Sequence, residues 1–475
     1  MNTHAGATSV ATNPSKKESR LTSLLHRMLF IALLLLVLLA PIPLGSNRDW
    51  SWSLCALLSG VLGITWVLLQ LATRRKPFGQ LPAVIPLLFL AALTWAWLQT
   101  TGWLPANWSH PVWALSSEVT NQVLSGSVSL APQDSYTALM RLTAYGLVFF
   151  LSFQLARDRV LARRALWWVF AFAVVYSVYG LLSYWGVLRE LMWYQDDAFG
   201  KDVRATFVNR NHFANWVGIA IVCALTIFFD YMLRAPRVPM LSMQSRQKRL
   251  DRFLARAWAP LAGLILLVSA LVSSHSRGGF LATLCGGAVL LLLIDRRLRV
   301  VSLRARAVAF SALLVCGAAF YISSELLVER LEQSSIDAAG RQTIYQITLG
   351  GISDSPLLGF GYGAFEDGFK LYRDERVTKL VDFTHNTFLE NLFELGLPAA
   401  LFLFGAVLGL MLVCLRGVFS RHRDWIFPAC GVAVTVLVSV HALVDFGLQM
   451  PATALLYSLV MGVACAQSYS SVRAT

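Results

Sequence analysis

The sequence predicts an all-α integral membrane protein with about twelve transmembrane helices. Two features of its composition support this prediction: mean hydropathy is +0.60, and 56% of residues are hydrophobic against 14% charged. Apolar runs of roughly 17 to 25 residues also recur along the chain, each long enough to cross about 30 Å of hydrocarbon as a helix. A helix satisfies its own backbone hydrogen bonds, as a lipid environment requires.

The apolar runs set the predicted spans in chain order. The first run follows Lys16, Lys17 and Arg20. It is too long for a signal peptide and lacks a small-residue cleavage site, so we expect it to be retained. The predicted spans cover residues 28–44, 52–72, 81–103, 136–156, 165–187, 214–232, 258–274, 279–294, 307–323, 397–415, 427–446 and 453–467.

Basic residues predict the orientation of these helices, because Lys and Arg accumulate on the cytoplasmic side. If residues 1–27 form a cytoplasmic tail, the segments TRRK, RDRVLARR, SRQKRLDRFLAR, RRLRVVSLRAR and RHR all fall on that side. The net charge of +14 is then mainly an orientation signal. It predicts membrane lipids as partners and gives no support for nucleic acid.

Three connections on the opposite, periplasmic side are longer than simple turns. Connections 104–135 and 188–213 interrupt spans 1–9, which lie within residues 28–323. The longest, residues 324–396, separates spans 9 and 10, and residues 397–475 hold spans 10–12 and a cytoplasmic C-terminus. A connection of about seventy residues on one face is the first candidate for a functional layer.

The segment 324–396 changes pattern along its length. GRQTIYQITLGGI has helical spacing, SPLLGFGYGAFEDGF predicts a compact turn, and HNTFLENLFELGLP predicts a helix entering the next span. Gly359, Gly361 and Gly363 lack both the preceding strand and the following Lys-Ser/Thr of a phosphate-binding loop. The sequence therefore gives little support for a nucleotide site.

Polar residues gather on the predicted periplasmic face, where ionisable groups are costly unless paired, solvated or bound to a ligand. Arginines from several connections favour a phosphate or diphosphate ligand, because guanidinium groups match phosphate oxygens with bidentate geometry. For Arg277 alone, a snorkelling arginine is the plainer interpretation. No Asp-x-Asp motif lies beside these arginines, so we predict no metal. The gathered residues are Arg204, Asn209, Arg210, Asn211, His212, His275, Arg277, Arg341, Tyr345, His385 and Asn386.

His385 is the best candidate for proton transfer, since histidine titrates near neutral pH. Asp382 and Glu390 are close enough in sequence to orient it, and Asn386 and Glu390 would lie one helical turn apart. The alternative is a structural, helix-capping histidine.

A second polar set lies within predicted spans. His441 and Asp445 are spaced i, i+4 on one helix, and Arg141 is at a compatible depth on another. We interpret the three as an ion-pair or hydrogen-bond set that supports the periplasmic site, with a proton relay as the alternative.

Five stretches carry a family resemblance: RATFVNRNHFANW, SHSRGGFLA, GRQTIYQ, SPLLGFGYGAF and HNTFLENLFELG. In this order and spacing, over residues 176–413, they resemble the bacterial O-antigen ligase and O-antigen polymerase superfamily. The resemblance implies a C-type glycosyltransferase fold in the bacterial inner membrane, with its active site facing the periplasm. It also implies an undecaprenyl-diphosphate-linked glycan donor and no nucleotide, metal or other cofactor.

The resemblance implies roles for individual residues. Arg204 and Arg277 would hold the donor diphosphate with help from Arg341, and His385 would be the base or acceptor-orienting group. Arg210 stands where many relatives have a small residue or proline, which leaves its role open. The remaining supporting candidates are Asn209, Asn211, His212, Tyr345, Asn386 and Glu390.

The resemblance leaves the acceptor open. A polymerase of O-antigen or exopolysaccharide repeat units, which would use a lipid-linked glycan acceptor, is the first hypothesis, and a ligase acting on lipid A core is the second. A membrane transporter, for example of bicarbonate, and a non-catalytic scaffold that binds other polysaccharide export proteins are the alternatives from other classes. Transporters tend to have repeat halves and broken midplane helices, and the sequence shows neither pattern.

Overall fold

The computed structural model describes residues 16–74, 77, 81–188, 202–234, 243–298 and 327–469. Every regular element in these ranges is helical, which confirms the all-α prediction for the described part of the chain. The longer helices are α1 Lys16–Leu39, α2 Asp49–Thr73, α3 Val84–Leu98, α4 Val112–Thr120, α5 Pro132–Leu155, α6 Arg159–Tyr184, α7 Arg210–Arg234, α8 Met243–Ser273, α9 Arg277–Leu298, α10 Leu327–Asp354, α11 Phe365–Tyr372, α12 Thr387–Ser420, α13 Ile426–Ala442 and α14 Pro451–Gln467.

Among the described residues, seven helices are long and apolar enough to cross a membrane: α1, α2, α5, α6, α7, α9 and α12. Shorter apolar helices at α3, the second half of α8, α13 and α14 coincide with four more predicted spans. The predicted span 307–323 lies outside the described residues. The chain is a multi-pass membrane protein.

Burial distinguishes the centre of the bundle from its periphery. Nearly all residues of α14 and most of α7 and α13 are buried, whereas Leu57 and Leu71 of α2 are 64% and 70% exposed. Small residues allow close helix contacts at the centre. A Cβ atom on Gly286 of α9 would lie only 2.9 Å from the Ala433 carbonyl oxygen of α13.

Four connections meet at one end of the bundle, which we call the polar end: residues 202–209, 274–276, 373–386 and 443–450. The Val203 amide donates to the Ser273 carbonyl oxygen at 2.9 Å, and Thr387 Oγ1 donates to the Asp445 carbonyl oxygen at 3.1 Å. These bonds bring together segments that are far apart in sequence.

In the described part of segment 324–396, the predicted first and last helices are present, and the predicted turn SPLLGFGYGAFEDGF ends in a further short helix, α11, from Phe365. In the turn, Gly359, Gly361 and Gly363 have φ values of +70°, +107° and +84°, which side chains with a Cβ adopt only at a cost. A Cβ on Gly361 would collide with Ser129, and one on Gly363 would lie 2.6 Å from the Ala138 Cβ. The absence of a side chain at Gly361 and Gly363 therefore lets the turn pack closely against Ser129 and Ala138.

Helix α12 begins ten residues before the predicted span 397–415 and is broken at Gly396, where φ is +72°. Side chains from α3 and from Gln99, the residue that follows it, donate hydrogen bonds to carbonyl groups at the break. Gln99 Nε2 donates to the Glu394 carbonyl oxygen at 2.9 Å, and Trp95 Nε1 donates to that of Leu395 at 2.9 Å. The first segment of α12 is thereby anchored with its N-terminus at the polar end.

Candidate active site at the polar end

His385 lies at the start of α12, as the sequence predicts, and the helix N-cap is Asn386. Asn386 Oδ1 accepts hydrogen bonds from the amides of Phe388 at 3.1 Å and Leu389 at 3.2 Å. His385 itself has a φ of +56°, a strained conformation for a residue other than glycine. Its side chain is 31% exposed, so the corner presents the imidazole at the surface of the site.

The ring of His385 is held by Asp445. His385 Nδ1 lies 3.2 Å from Asp445 Oδ1, and the Asp445 side chain is only 1% exposed. An ionised carboxylate can only accept hydrogen bonds, so Nδ1 carries the proton. This tautomer leaves Nε2 with a free lone pair, as a general base requires.

Asp445 is ionised mainly because His385 donates a hydrogen bond to its carboxylate. Burial alone raises the pKa of its carboxyl, but the hydrogen bond to His385 and the neighbouring His212 and His441 outweigh burial and lower the pKa to about 2. His212 Nε2 and His441 Nε2 lie 3.9 Å and 4.0 Å from Asp445 Oδ2. Asp445 is therefore a fixed negative charge at neutral pH.

Helix α10 holds the backbone on both sides of this pair. The Tyr345 hydroxyl donates to the His385 carbonyl oxygen at 3.0 Å, and Arg341 Nη1 donates to the Val444 carbonyl oxygen at 3.2 Å. Burial raises the pKa of Tyr345, which keeps its hydroxyl a donor. The structure thus brings the predicted residues Arg341 and Tyr345 to His385.

Glu390 acts on the segment that precedes His385. Its buried carboxylate accepts hydrogen bonds from the Thr384 amide at 2.9 Å, Thr384 Oγ1 at 2.8 Å and Gln449 Nε2 at 2.6 Å. It therefore joins the two connections that carry His385 and Asp445. The other expected partner of His385, Asp382, is exposed, and Asp445 takes the orienting position.

An aromatic pair forms one wall of the site. The Phe446 ring lies 4.9 Å from the His385 ring and 4.6 Å from the His212 ring, between ring centroids. Phe383 stacks on Phe446 at 4.0 Å. The imidazoles consequently meet an apolar surface on this side.

Connection 202–209 brings a second group of predicted residues to the polar end. Asp202 binds Arg210 Nη1 at 2.8 Å and His275 Nδ1 at 2.8 Å. Arg204 Nη1 donates to the Val208 carbonyl oxygen of the same connection at 3.0 Å. Arg210, whose role the sequence leaves open, is thus neutralised by Asp202.

The residues on either side of Arg277, the first residue of α9, contact two different parts of the polar end. Ser276 Oγ donates to Asn211 Oδ1 at 2.7 Å. On the other side, a Cβ on Gly278 would lie 3.0 Å from Val444 Cγ2. Arg277 therefore stands between the start of α7 and the connection that carries Asp445.

Asn209 and Asn211 have structural partners near the start of α7. Asn209 Oδ1 accepts a hydrogen bond from the Asn211 amide at 2.8 Å, and Asn211 Oδ1 accepts the bond from Ser276. Asn211 thereby links the start of α7 to the residue before α9, whereas the Asn209 bond is local.

The predicted set of His441, Asp445 and Arg141 is wrong in one member. His441 and Asp445 are neighbours, as expected, but Arg141 lies over the Trp52 ring, 5.0 Å from its centroid. Arg141 lines a cavity to which neither His441 nor Asp445 contributes. Depth along a helix does not reveal which neighbour the helix faces.

Sequence reasoning missed the direct pairing of Asp445 with His385 and also missed Asp202, Ser276, Thr384 and Gln449. Thr384 and Gln449 are polar residues beside HNTF and within an apolar C-terminal region, which was a usable signal. Nothing in the sequence indicates which residues they bind.

Residues 262–404 match a family model described as O-Antigen ligase. The matched segment contains Arg277, Arg341 and His385, whereas Arg204 and Asp445 lie outside it. No curated protein matches the chain.

Proposed function

The chain belongs to the O-antigen ligase/polymerase superfamily, and from this premise we propose that it transfers an undecaprenyl-diphosphate-linked glycan to an acceptor sugar hydroxyl. In this proposal the polar end faces the periplasm, across the bacterial inner membrane from the basic connections. The observation that carries the proposal is the buried Asp445 carboxylate that orients His385 among connections rich in arginine.

His385 acts as the general base. Its Nε2 removes the proton of the acceptor hydroxyl while the hydroxyl oxygen attacks the anomeric carbon of the donor sugar. The bond from that carbon to the diphosphate oxygen breaks, and its electron pair leaves with undecaprenyl diphosphate. Attack opposite the leaving group inverts the anomeric centre, and Asp445 stabilises the imidazolium that forms.

The arginines stabilise the leaving group. Negative charge develops on the diphosphate as the glycosidic bond breaks, so fixed positive groups bind the transition state more strongly than the ground state. Arg204 and Arg277 are proposed to contact the diphosphate, and Arg341 to assist from α10. The chemistry then uses no metal ion.

Polymerisation of O-antigen or exopolysaccharide repeat units is the first form of this activity, with a second lipid-linked glycan as acceptor. Ligation to lipid A core is the second form, and the description of the matched family favours it. Both forms use the same donor chemistry and differ in what is bound as acceptor.

Reconstitution tests the proposal. The purified protein in vesicles, given an undecaprenyl-diphosphate-linked glycan and one of the two acceptors, is expected to release one undecaprenyl diphosphate per glycan transferred. Activity is expected to persist in EDTA. Failure with both acceptors, or activity lost in EDTA and restored by magnesium, would contradict the respective part of the proposal.

Replacing Asp445 by asparagine is expected to lower kcat by about 10²-fold or more, with a smaller effect on KM. The amide can donate as well as accept, so it no longer forces the proton onto His385 Nδ1. Steady-state kinetics of donor consumption measure both constants. An unchanged kcat would reject Asp445 as the positioning residue of His385.

The stability difference between the natural protein and Asp445→Asn has a defined pH dependence. Because the folded-state pKa of Asp445 is depressed to about 2, its stabilising contribution is present above the ordinary value of 3.8 and is lost as pH falls through about 2. The difference in Tm is expected to shrink as pH falls from about 4 to about 2. A difference unchanged at about pH 2 would contradict the depressed pKa.

A further inference from the structure

The connection between α3 and α5, residues 99–131, lies at the same end of the bundle as the start of α12. Gln99 Nε2 donates to the Glu394 carbonyl oxygen at 2.9 Å, and the Leu130 amide donates to the Phe360 carbonyl oxygen at 2.9 Å. The candidate active site uses none of the residues in this connection. A role for the connection must therefore come from its own surface.

Helix α4, which lies within this connection, exposes apolar side chains on one side. Leu115 and Val119 are one helical turn apart and are 61% and 86% exposed. Val123, just beyond the helix, is also fully exposed. On another side of α4, Trp113 Nε1 donates to the Ser129 carbonyl oxygen at 3.2 Å. The helix is thus fixed to the protein, while no described residue covers Leu115, Val119 and Val123, which we call the α4 stripe.

The contacts of α4 place it at the level where α3 ends. Ser129, which accepts the bond from Trp113, donates its own amide to the Gln99 carbonyl oxygen at 2.8 Å. Gln99 directly follows α3, a helix of 15 residues. A helix of that length extends about 22 Å and does not by itself cross about 30 Å of hydrocarbon. The connection that follows α3 therefore begins near the apolar layer.

Tryptophans join this connection to the exposed apolar surface of α3. Trp97 of α3 and Trp103 are both exposed, and their ring centroids are 5.1 Å apart. Trp108, which precedes α4, lies 6.3 Å from Trp95 of α3 between ring centroids. Tryptophan collects at membrane–water interfaces, because its ring is apolar and its N–H group is polar. The lipid-facing surface of α3 thus continues into the connection.

Charge distinguishes this connection from another at the same end of the bundle. Residues 99–131 contain one formally charged residue, Glu118, and no lysine or arginine. In contrast, residues 366–379 contain eight charged residues among fourteen. Charged groups are costly at the apolar boundary of a bilayer and well solvated in water. The charge pattern therefore favours lipid beside α4 and water beside residues 366–379.

We propose that α4 lies in the membrane–water interface at this end of the bundle, with the α4 stripe among the lipid acyl chains and Glu118 toward the headgroups. Interfacial helices bury an apolar face by about 5 to 10 Å at the boundary between headgroups and acyl chains. Because the connection has no basic side chain, it binds this apolar boundary and does not select anionic headgroups. The inference depends neither on glycan transfer nor on which side of the membrane this end faces.

Fluorescence quenching tests the inference with the full chain in phosphatidylcholine vesicles. Leu115→Cys and Val119→Cys are each labelled with nitrobenzoxadiazole, and the unsubstituted protein is labelled in parallel to subtract the signal of natural cysteines such as the half-buried Cys285. The matched control is Ala114→Cys, since Ala114 is exposed on the same helix but outside the stripe. Phosphatidylcholine with a nitroxide near the headgroup end of one acyl chain is expected to quench the two stripe labels about twofold or more over the control label.

Three other results would overturn the inference. The first is equal nitroxide quenching at all three positions, and the second is quenching of the stripe labels mainly by aqueous iodide, which would place them in water. The third is self-quenching of the stripe labels that disappears on dilution with unlabelled protein and occurs without nitroxide quenching. That result would assign the stripe to contact with a second copy of the chain.

Two charge variants test which side of α4 is immersed. Leu115→Glu and Ala114→Glu add the same charge at adjacent residues. In the chain labelled at Val119→Cys, Leu115→Glu is expected to lower nitroxide quenching by about twofold or more, because a carboxylate is costly among acyl chains. Ala114→Glu should leave the quenching unchanged. Equal quenching in the two variants, both shown to be folded by gel filtration and Tm, would reject the stripe as the membrane contact.

The fluorescence readout separates this inference from the proposed function. His385→Ala, labelled at Leu115→Cys, should show the same nitroxide quenching as the chain with His385 intact. Failure of glycan transfer in the reconstituted protein would reject the proposed chemistry and leave the position of α4 unaffected. Loss of nitroxide quenching would reject the position of α4 alone.

Discussion

Replacing His385 by alanine is expected to lower glycan transfer by about 10²- to 10⁴-fold, the usual contribution of a general base. Removal of the imidazole leaves the acceptor hydroxyl without a proton acceptor and removes the hydrogen bond to the Asp445 carboxylate. Because His385 is 31% exposed and sits in a strained conformation, its loss should not unfold the protein. Transfer is measured from donor consumption by the reconstituted variant.

The matched control for this experiment is His422→Ala. His422 is exposed in the connection between α12 and α13, at the opposite end of the bundle. The control should transfer glycan at the natural rate. Added imidazole should restore part of the activity of His385→Ala, since it supplies the missing base. Normal transfer by His385→Ala would remove the histidine from the mechanism.

Much of the helical framework is predictable because its cause is local. An apolar run of sufficient length forms a helix in lipid wherever it occurs, so the predicted positions agree with the described helices. The start of α12 is equally local, because Asn386 caps amides only two and three residues away. His385 could therefore be placed at a helix corner from the sequence.

The pairing of His385 with Asp445 could not be predicted in the same way. The two residues are separated by 60 positions, and the i, i+4 spacing of His441 and Asp445 favoured a pair within one helix. In the structure both His441 and His385 lie near Asp445, but only His385 is within hydrogen-bond distance of its carboxylate. The partner depends on how α12 and α13 are arranged, which no local pattern specifies.

The break in α12 shows the same limit. Gly396 and Pro398 signal an irregularity. However, the carbonyl group of Glu394 at the break accepts a hydrogen bond from Gln99, which is 295 positions away in sequence. Arg141 was misplaced for a related reason. The sequence predicts the depth of Arg141 in the membrane from its position along α5. Its contact with Trp52 depends on how α5 is rotated against α2, which the sequence does not specify.

Replacing Arg277 by alanine is the second prediction with a large expected effect. Arg277 is the first residue of α9, where a positive charge opposes the helix dipole by about 0.3 to 1 kcal/mol. The arginine therefore does not stabilise the end of its own helix. An anion that binds there would meet both the guanidinium and the N-terminal amides.

Arg277→Ala is expected to lower kcat for glycan transfer by about 10²- to 10³-fold, the scale for loss of one group that stabilises developing negative charge. Arg277→Lys keeps the charge without the bidentate geometry and should recover only part of the rate. Arg376→Ala is the matched control, since Arg376 is an exposed arginine paired with Asp374. A smaller loss in Arg277→Ala than in this control would exclude the role in leaving-group stabilisation, and a rise in KM at constant kcat would restrict Arg277 to donor binding.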